Sequence, residues 1–520
     1  MSPHQRPLLL DPAPLSCPKW SDILPRRNYD HLRLHVKDVT GSVDYAKLRA
    51  LPMSDLSSSR LEAVLKWVED PQWYQQFKLP PYRRYTARFT LADRLELTRV
   101  RKFINTKPRC SVRAFCVPEW DKDRKRPIFW PDLNEAISKS LLIPGLLPLK
   151  SRVRSDCAAS AWSVQFDFAS WYDQLPLALQ ISSFFSFDGR SCLAALPMGF
   201  RPAADVAHCI TAAIADFPLP AGVTVTCYID NIRFGGPSNE SVSIAAQEFL
   251  RRVDAVGAVL NDRSIAPTQE EEFLGEHYNL VTKVRSLTKK TRNKLASAVD
   301  LVDKPMSVRQ LAAIYGLLFF SSEVINTGFA QFFTAIRFYR SVMRSVADWD
   351  APAPFVPPEV SRQLYAWFDL LSRNRPTPIS PSDPGLPELT IYCDACEIGW
   401  GAVCISPEGS RHLAQEWSAE DKVKFDVGHS TVSEPLAVRR AVALAVKGGY
   451  RHVRIMSDHQ GLVFAGNKGY GKCRSYNDMC YFLKNYTNTK FSFGFVPGAE
   501  NTTADRLSRE GHFHINKTKE

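Results

Sequence analysis

VQFDFASWYDQLPL, residues 164–177, carries the reading of the fold. Together with the residues just before it, Trp162, Val164 and Phe166 alternate with Ser163, Gln165 and Asp167. That is the period of a strand, and it puts Asp167 on the face away from the apolar one, at the strand's end. VTVTCYIDNIRFGG, residues 223–236, repeats the pattern: Val223, Val225, Cys227 and Ile229 point inward, Tyr228 and Asp230 outward, before a tight reversal. Asp230 and Asn231 fit a plain hairpin turn, because both residue types tolerate left-handed backbone. They equally fit a carboxylate paired with Asp167. A second acidic set, Asp394, Glu434, Asp458 and Asp505, ends in PGAENTTADRLSR, residues 497–509. Clustered carboxylates repel one another unless divalent cations sit between them, so the two sets predict two metal-dependent sites with phosphoryl transfer as their chemistry.

A chain of 520 residues, 45% hydrophobic and 23% charged, has room for several packed cores, which excludes wholesale disorder. Its 66 basic residues against 54 acidic ones, a net charge of +12, favour a polyanionic partner such as nucleic acid. The 12 cysteines lack the dense spacing of a secreted disulfide scaffold and read as core residues in a reducing compartment. Cys393 and Cys396 bracket Asp394 but lack the second pair that structural zinc needs. No signal peptide is visible in the first 30 residues, and the longest apolar run, LAAIYGLLFF at 311–320, is too short to span a bilayer. The expectation is a soluble intracellular chain, in nucleus or cytoplasm, with no membrane partner.

Residues 1–95 mix Pro, Trp and charge without an interpretable motif, and 96–282 alternate strand-like and helical runs. From Lys283 the pattern is helical and basic, and a second helix opens at Ser307 with Gln310 three residues on, a capping-box spacing, giving a helical region over 283–345. Prolines in APAPFVPPE and RPTPISPSDPGLP mark 346–388 as an extended connection or tether. A new domain is expected over 389–513, followed by a tail at 514–520. In it, Glu434 is read into the first turn of a helix whose apolar stripe includes Val438, Ala441 and Ala445. A glutamate there either complements the helix dipole or serves a site. Asp394 and Asp458 fall near strand ends, and Asp505 follows the candidate caps Thr502 and Thr503.

From about Arg113 to Gly328 the chain resembles the retroelement reverse transcriptases, with five segments in family order. RAFCVPEWDKDRKRPIFWPDLN looks like the fingers segment, FDFASWYDQLPL like the first metal motif and LPMGFRPAADVAH like the template and nucleotide motif. YIDN looks like the second metal motif, and GAVLNDRSIAPTQEEEFLG like the end of the palm. The resemblance implies that Asp167 and Asp230 hold two Mg²⁺ ions, that Tyr172 gates against a 2′-hydroxyl, and that Arg126 contacts the incoming triphosphate. It also places Gly199, Tyr228 and Asn231 around the substrates. Asn231 stands where a second aspartate is usual, Arg263 where lysine is common and Ala204 where proline is frequent.

YCDACEIGWGAV, STVSEPLAVRRAV, IMSDHQGLVFA and PGAENTTADRLSR resemble the ribonuclease H domain attached to reverse transcriptases, over nearly all of residues 389–510. By that resemblance Asp394, Glu434, Asp458 and Asp505 bind two Mg²⁺ ions, with Mn²⁺ as a substitute, to cut RNA paired with DNA. His459 follows Asp458 where the family often has Asn. Basic residues Arg83, Arg84, Arg88, Arg94, Arg99, Arg101, Lys102, Lys283, Arg285, Lys289, Lys290, Arg292 and Lys294 suit neutralisation of a duplex backbone. The implied fold is an α+β right-hand polymerase of fingers, palm and thumb, followed by an α/β ribonuclease H-like domain with a mixed five-stranded sheet. The implied partners are an RNA template, a DNA primer, an RNA/DNA hybrid, deoxynucleoside triphosphates and other retroelement proteins. The absence of a protease or integrase motif looks more like the DIRS-type, tyrosine-recombinase retroelements. The alternative is a domesticated or decayed copy that binds nucleic acid and keeps at most the ribonuclease H activity.

Overall fold

The computed structural model describes residues 30–34, 41–83, 85, 89–100, 103–119, 123–186, 191–379, 385–446 and 450–510, which fall into two compact units. Arg84, Arg88, Arg101, Lys102 and the side chain of Arg99 lie outside the described residues.

In the first unit, residues 24–288 with 378–380, helix α1 (Asp55–Glu69) opens on Ser54, whose hydroxyl accepts from the Ser57 N–H. Its Trp67 stacks on Phe77 and meets Phe200 edge-on, so this N-terminal region braces the LPMGF loop. Strands β1 (Val112–Glu119) and β2 (Arg124–Pro131) form an antiparallel hairpin with alternating burial. Helix α2 (Lys150–Ala159) leads into β3 (Trp162–Asp167). Helix α3 (Ala203–Ile214) follows, then β4 (Thr224–Tyr228), β5 (Asn231–Gly236) and α4 (Asn239–Ala255). The sheet order is β3-β5-β4, all antiparallel, with Asp167 directly opposite Asn231.

One face of this sheet packs through Phe166, Phe234 and Phe249. The other face, expected to point outward, is covered as well, because α2 crosses it. Ser163, Thr226 and Arg233 are buried there. Arg233 pairs with Glu271 at 2.7 Å, the Gln165 amide donates to Glu271 at 2.6 Å, and the Thr226 hydroxyl donates to Asp156 at 3.1 Å. A buried guanidinium is tolerated only when paired in this way, and removing Glu271 alone would strand its charge.

A meander of β6 (Glu270–Phe273), β7 (Glu276–Asn279) and β8 (Val284–Leu287) follows. The helical pattern expected from Lys283 is therefore corrected: Val284, Arg285, Ser286 and Leu287 alternate and pair with β7, and the helix starts only at Lys289. Arg285, expected to face nucleic acid, is buried and donates to the carbonyls of Pro378 and Ile379. Ile379 itself fills a small core with Val153, Cys157, Phe273, Tyr278 and Leu280, so the proline-rich stretch is anchored at this point rather than being a bare tether.

The second unit, residues 289–377 and 381–520, begins with α5 (Lys289–Val299) and α6 (Val308–Val324). The capping box of α6 forms as expected: Ser307 and Gln310 each satisfy the other's backbone N–H. α7 (Phe333–Arg344) and α8 (Pro358–Ser372) complete the helices. α8 lies inside the expected connection; its Pro358 sits at the first helical position, where a missing N–H costs nothing. Trp367 stacks on Phe332 at 4.5 Å and donates to Ser322 at 2.7 Å, tying α8 to α6.

Strands β9 (Leu389–Ala395), β10 (Gly399–Ser406) and β11 (Gly409–Glu416) then form an antiparallel meander. They are followed by α9 (Ser430–Ala445), β12 (His452–Ser457), α10 (Gln460–Lys468), α11 (Arg474–Leu483), β13 (Lys490–Phe495) and α12 (Thr502–Glu510). β12 and β13 add in parallel, giving the mixed five-stranded order β11-β10-β9-β12-β13. Pro435 inside α9 has no N–H for the Thr431 carbonyl, which instead accepts from Ser475 Oγ at 2.5 Å. Among the described residues no helix is long and apolar enough to cross a membrane. The described cysteines are mostly buried; Cys393 lies in the core and Cys396 donates to the Ser508 carbonyl.

Candidate metal-binding carboxylate sites

β9 ends by delivering Asp394, β12 ends one residue before Asp458, and α9 crosses beneath them with Glu434 on its buried face. Carboxylate oxygens of Asp394, Glu434 and Asp458 all lie within 4.8 Å of one another. Glu434 stands at the fifth residue of α9 rather than in its first turn, so complementing the helix dipole does not account for it. Burial and the charges of Asp394 and Asp458 push its carboxyl well above the usual range. Its Oε2 is buried without a hydrogen-bond partner. Burial also raises Asp394, to about 6, with Asp505 and Asp458 adding to the shift and the Ser508 hydroxyl, 2.6 Å from Oδ2, opposing it.

Three convergent carboxylates, one with an orphaned buried oxygen, form a hard oxygen donor set that fits a divalent cation such as Mg²⁺. Asp505 stands aside from this triad. It lies in the first turn of α12, caught by Arg509 at 2.8 Å, and its N–H bonds the carbonyl of Asn501. Thr502 and Thr503 are thus inside the helix rather than its caps. His459 does cap α10, its Nδ1 accepting from the Leu462 N–H at 3.2 Å, a service an asparagine would also perform.

The Asp394 shift carries a pH signature. Between the ordinary value of 3.8 and about 6 the folded state retains a proton that the unfolded state releases. Stability without metal therefore falls as pH rises through that window. In EDTA the melting temperature is expected to be higher at pH 5 than at pH 7, with Mg²⁺ recovering the loss at pH 7 and Asp394→Asn flattening the difference. A melting temperature that rises with pH in EDTA would contradict the carboxylate cluster's electrostatics.

In the first unit, Asp167 ends β3 and Asp230 lies in the turn just before β5, its neighbour in the sheet, and the Phe168 N–H bonds the Asp230 carbonyl at 3.1 Å. Burial, then the charge of Asp167, raises the Asp230 carboxyl; Asn231 and Arg126 oppose the shift. Asn231 Nδ2 donates to Asp230 Oδ1 at 2.8 Å, so the amide is used as a donor toward the neighbouring carboxylate. Tyr172 is pushed up to about 12 by burial, with the charges of Asp230 and Tyr228 adding to the shift. Arg126 is paired with Glu119 at 3.0 Å across the β1–β2 hairpin. Gly199 has φ +112, and a Cβ there would meet the Phe129 carbonyl oxygen at 2.7 Å, so any side chain would push the loop off β2.

Sequence reasoning missed the partners of these groups. Asn261 Nδ2 donates to Asp167 Oδ2 at 2.6 Å. Asn134 grips the LPMGF loop with both ends of its amide, donating to the Gly199 carbonyl and accepting from the Arg201 N–H. His208 and Thr211 on α3 hold Ile229. Ile229 has φ +58, an outlier for a β-branched residue that costs about 1–3 kcal/mol and persists only when its surroundings impose it. Asn261 lies in the quoted GAVLN run, but nothing local there marks it as a partner of Asp167.

No family model and no curated protein matches the sequence. Among solved structures, a foamy viral protease-reverse transcriptase in complex with double-stranded DNA is similar at 15% identity, covering 88% of this chain and 83% of that one with a TM-score of 0.46. A second foamy viral complex with double-stranded DNA matches at 14% identity, 89% and 99% coverage and a TM-score of 0.45. A third, with an RNA/DNA hybrid, matches at 16%, 89% and 65% coverage and 0.44.

Proposed function

We propose that this chain is an RNA-directed DNA polymerase with a ribonuclease H activity, each site using two Mg²⁺ ions, that copies a retroelement RNA into DNA and degrades the RNA of the hybrid. The observation that carries the reading is the convergence of buried Asp394 and Glu434 with half-buried Asp458, one Glu434 oxygen orphaned, beside a mixed five-stranded sheet. The second support is the pairing of Asp167 with Asn231 across adjacent strands, which brings Asp167 next to the turn that carries Asp230. Asp394, Glu434, Asp458 and Asp505 would hold the cations of one site, Asp167 and Asp230 those of the other. Bound there, divalent cations supply charge neutralisation at the attacking and leaving oxygens. The chain's own residues do the rest: Arg126 leaves Glu119 for the triphosphate, and Gly199 and Tyr228 line the base pair. The DIRS-type assignment and the domain limits at 95, 345, 388 and 513 belong to the same proposal, with the limit expected at 282 moved to 288, where the first compact unit ends.

Tyr172→Ala is expected to raise ribonucleotide incorporation relative to deoxynucleotides, since removing the ring opens space for a 2′-hydroxyl. An unchanged ratio would remove that role from Tyr172 alone.

A second reading, a decayed copy with ribonuclease H activity only, is favoured by one observation, the neutral Asn231 bonded to Asp230. Mg²⁺-dependent extension of a DNA primer on an RNA template, assayed beside cleavage of an RNA/DNA hybrid, separates the two. Both activities support the proposal, cleavage alone supports the relic, and neither overturns both.

A further inference from the structure

The turn that carries Asp230 is held from a helix outside the carboxylate sets. On α3, His208 and Thr211 lie about one turn apart, both buried. His208 Nδ1 accepts from the Ile229 N–H at 3.2 Å, and Thr211 Oγ donates to the Ile229 carbonyl at 2.5 Å. Both backbone polar groups of Ile229 are therefore bound by side chains of one helix, and its φ is +58. Neither side chain bonds the Asp230 carboxylate directly.

We propose that His208 and Thr211 are positioning residues of the polymerase site, a clamp on the Ile229 backbone that fixes where the Asp230 carboxylate stands. The inference rests on the polymerase reading of Asp167 and Asp230. A free hairpin would let a β-branched residue leave positive φ, and the adjacent peptide, which bears Asp230, would turn with it. The chemistry of the clamp is self-consistent. Burial, with Arg60 adding, lowers His208 to about 4, so its ring is neutral at neutral pH and Nδ1 is free to accept while Nε2 carries the proton. Glycine at 229 would take the same backbone without strain and would need no clamp.

The test uses the full-length chain and four variants: His208→Leu, His208→Asn, Ile229→Gly and the His208→Leu, Ile229→Gly double variant. His208→Leu is expected to raise the Mg²⁺ needed for half-maximal extension about 10–100-fold, the scale on which supporting partners of metal ligands act. Amide hydrogen exchange of the peptide spanning Ile229 should quicken, and hybrid cleavage should stay unchanged. His208→Asn, which keeps an acceptor, should recover part of the loss. The double variant should return to within about twofold of Ile229→Gly alone, the pattern of two residues acting through one conformation. A His208→Leu protein that extends at the wild-type Mg²⁺ requirement, or a double variant as impaired as His208→Leu, would overturn the positioning role. If the wild type extends no primer, the polymerase reading and the positioning role fall together, while exchange that still depends on His208 shows the clamp to be real. Exchange indifferent to His208 would overturn the clamp itself.

Discussion

Asp458→Asn is expected to lower cleavage of an RNA/DNA hybrid by about a thousandfold while primer extension stays within about twofold of the wild type. The two acidic sets belong to separate compact units, each with its own core, so neither carboxylate cluster depends on the other's charge balance. Within the triad, the amide removes one negative charge from a site where Glu434 already carries an unpartnered buried oxygen. Cation affinity should collapse, yet the metal-free fold should not suffer, because like-charge repulsion is relieved. A melting temperature in EDTA at or above that of the wild type distinguishes loss of chemistry from loss of fold. If extension falls as far as cleavage in a variant that melts normally, the two-site reading is wrong.

Asp230→Asn should eliminate primer extension in Mg²⁺ and in Mn²⁺, whereas Asn231→Asp should lower the Mg²⁺ required for half-maximal extension. The second effect follows from the contact that replaces the expected aspartate. Asn231 Nδ2 occupies Asp230 Oδ1, an oxygen a cation would otherwise use, and an aspartate would free that oxygen and add a charge. Burial and the charge of Asp167 already hold the Asp230 carboxyl above its ordinary range, so the added charge is unfavourable without a cation and favourable with one. The gain should be severalfold, on the order of 1 kcal/mol. In a decayed polymerase neither the wild type nor Asn231→Asp would extend a primer, although hybrid cleavage would persist. Extension surviving in Asp230→Asn would refute the assignment of Asp230.

The elements bearing the acids were legible because their signals are local. Alternation over 162–167 and 223–230 exposes strands, the apolar stripe from Glu434 to Ala445 exposes a helix, and Ser307 with Gln310 announces a cap, all within a few residues. Alternation says which side chains share a face, not whether that face is covered. The face of Ser163 was therefore expected to point outward, whereas Ser163 is buried there together with Thr226 and Arg233, the last paired with Glu271. The helix expected from Lys283 failed for a related reason: a basic run reads as helical until pairing with Glu276–Asn279 claims it for a sheet.

By itself the sequence pointed to most of the strands and helices that bear the acids and nominated six acidic positions for a shared metal-dependent chemistry. Only the tertiary structure decided which acids converge and what holds them. It drew Asp394, Glu434 and Asp458 together, left Asp505 with Arg509, joined Asn261 to Asp167 across 94 positions, and set His208 against the backbone of Ile229. Apart from the local Asp505–Arg509 pair, those are single hydrogen bonds and charge contacts between residues far apart in the chain. They leave no periodicity behind, and so exist for a reader only once the backbone has closed.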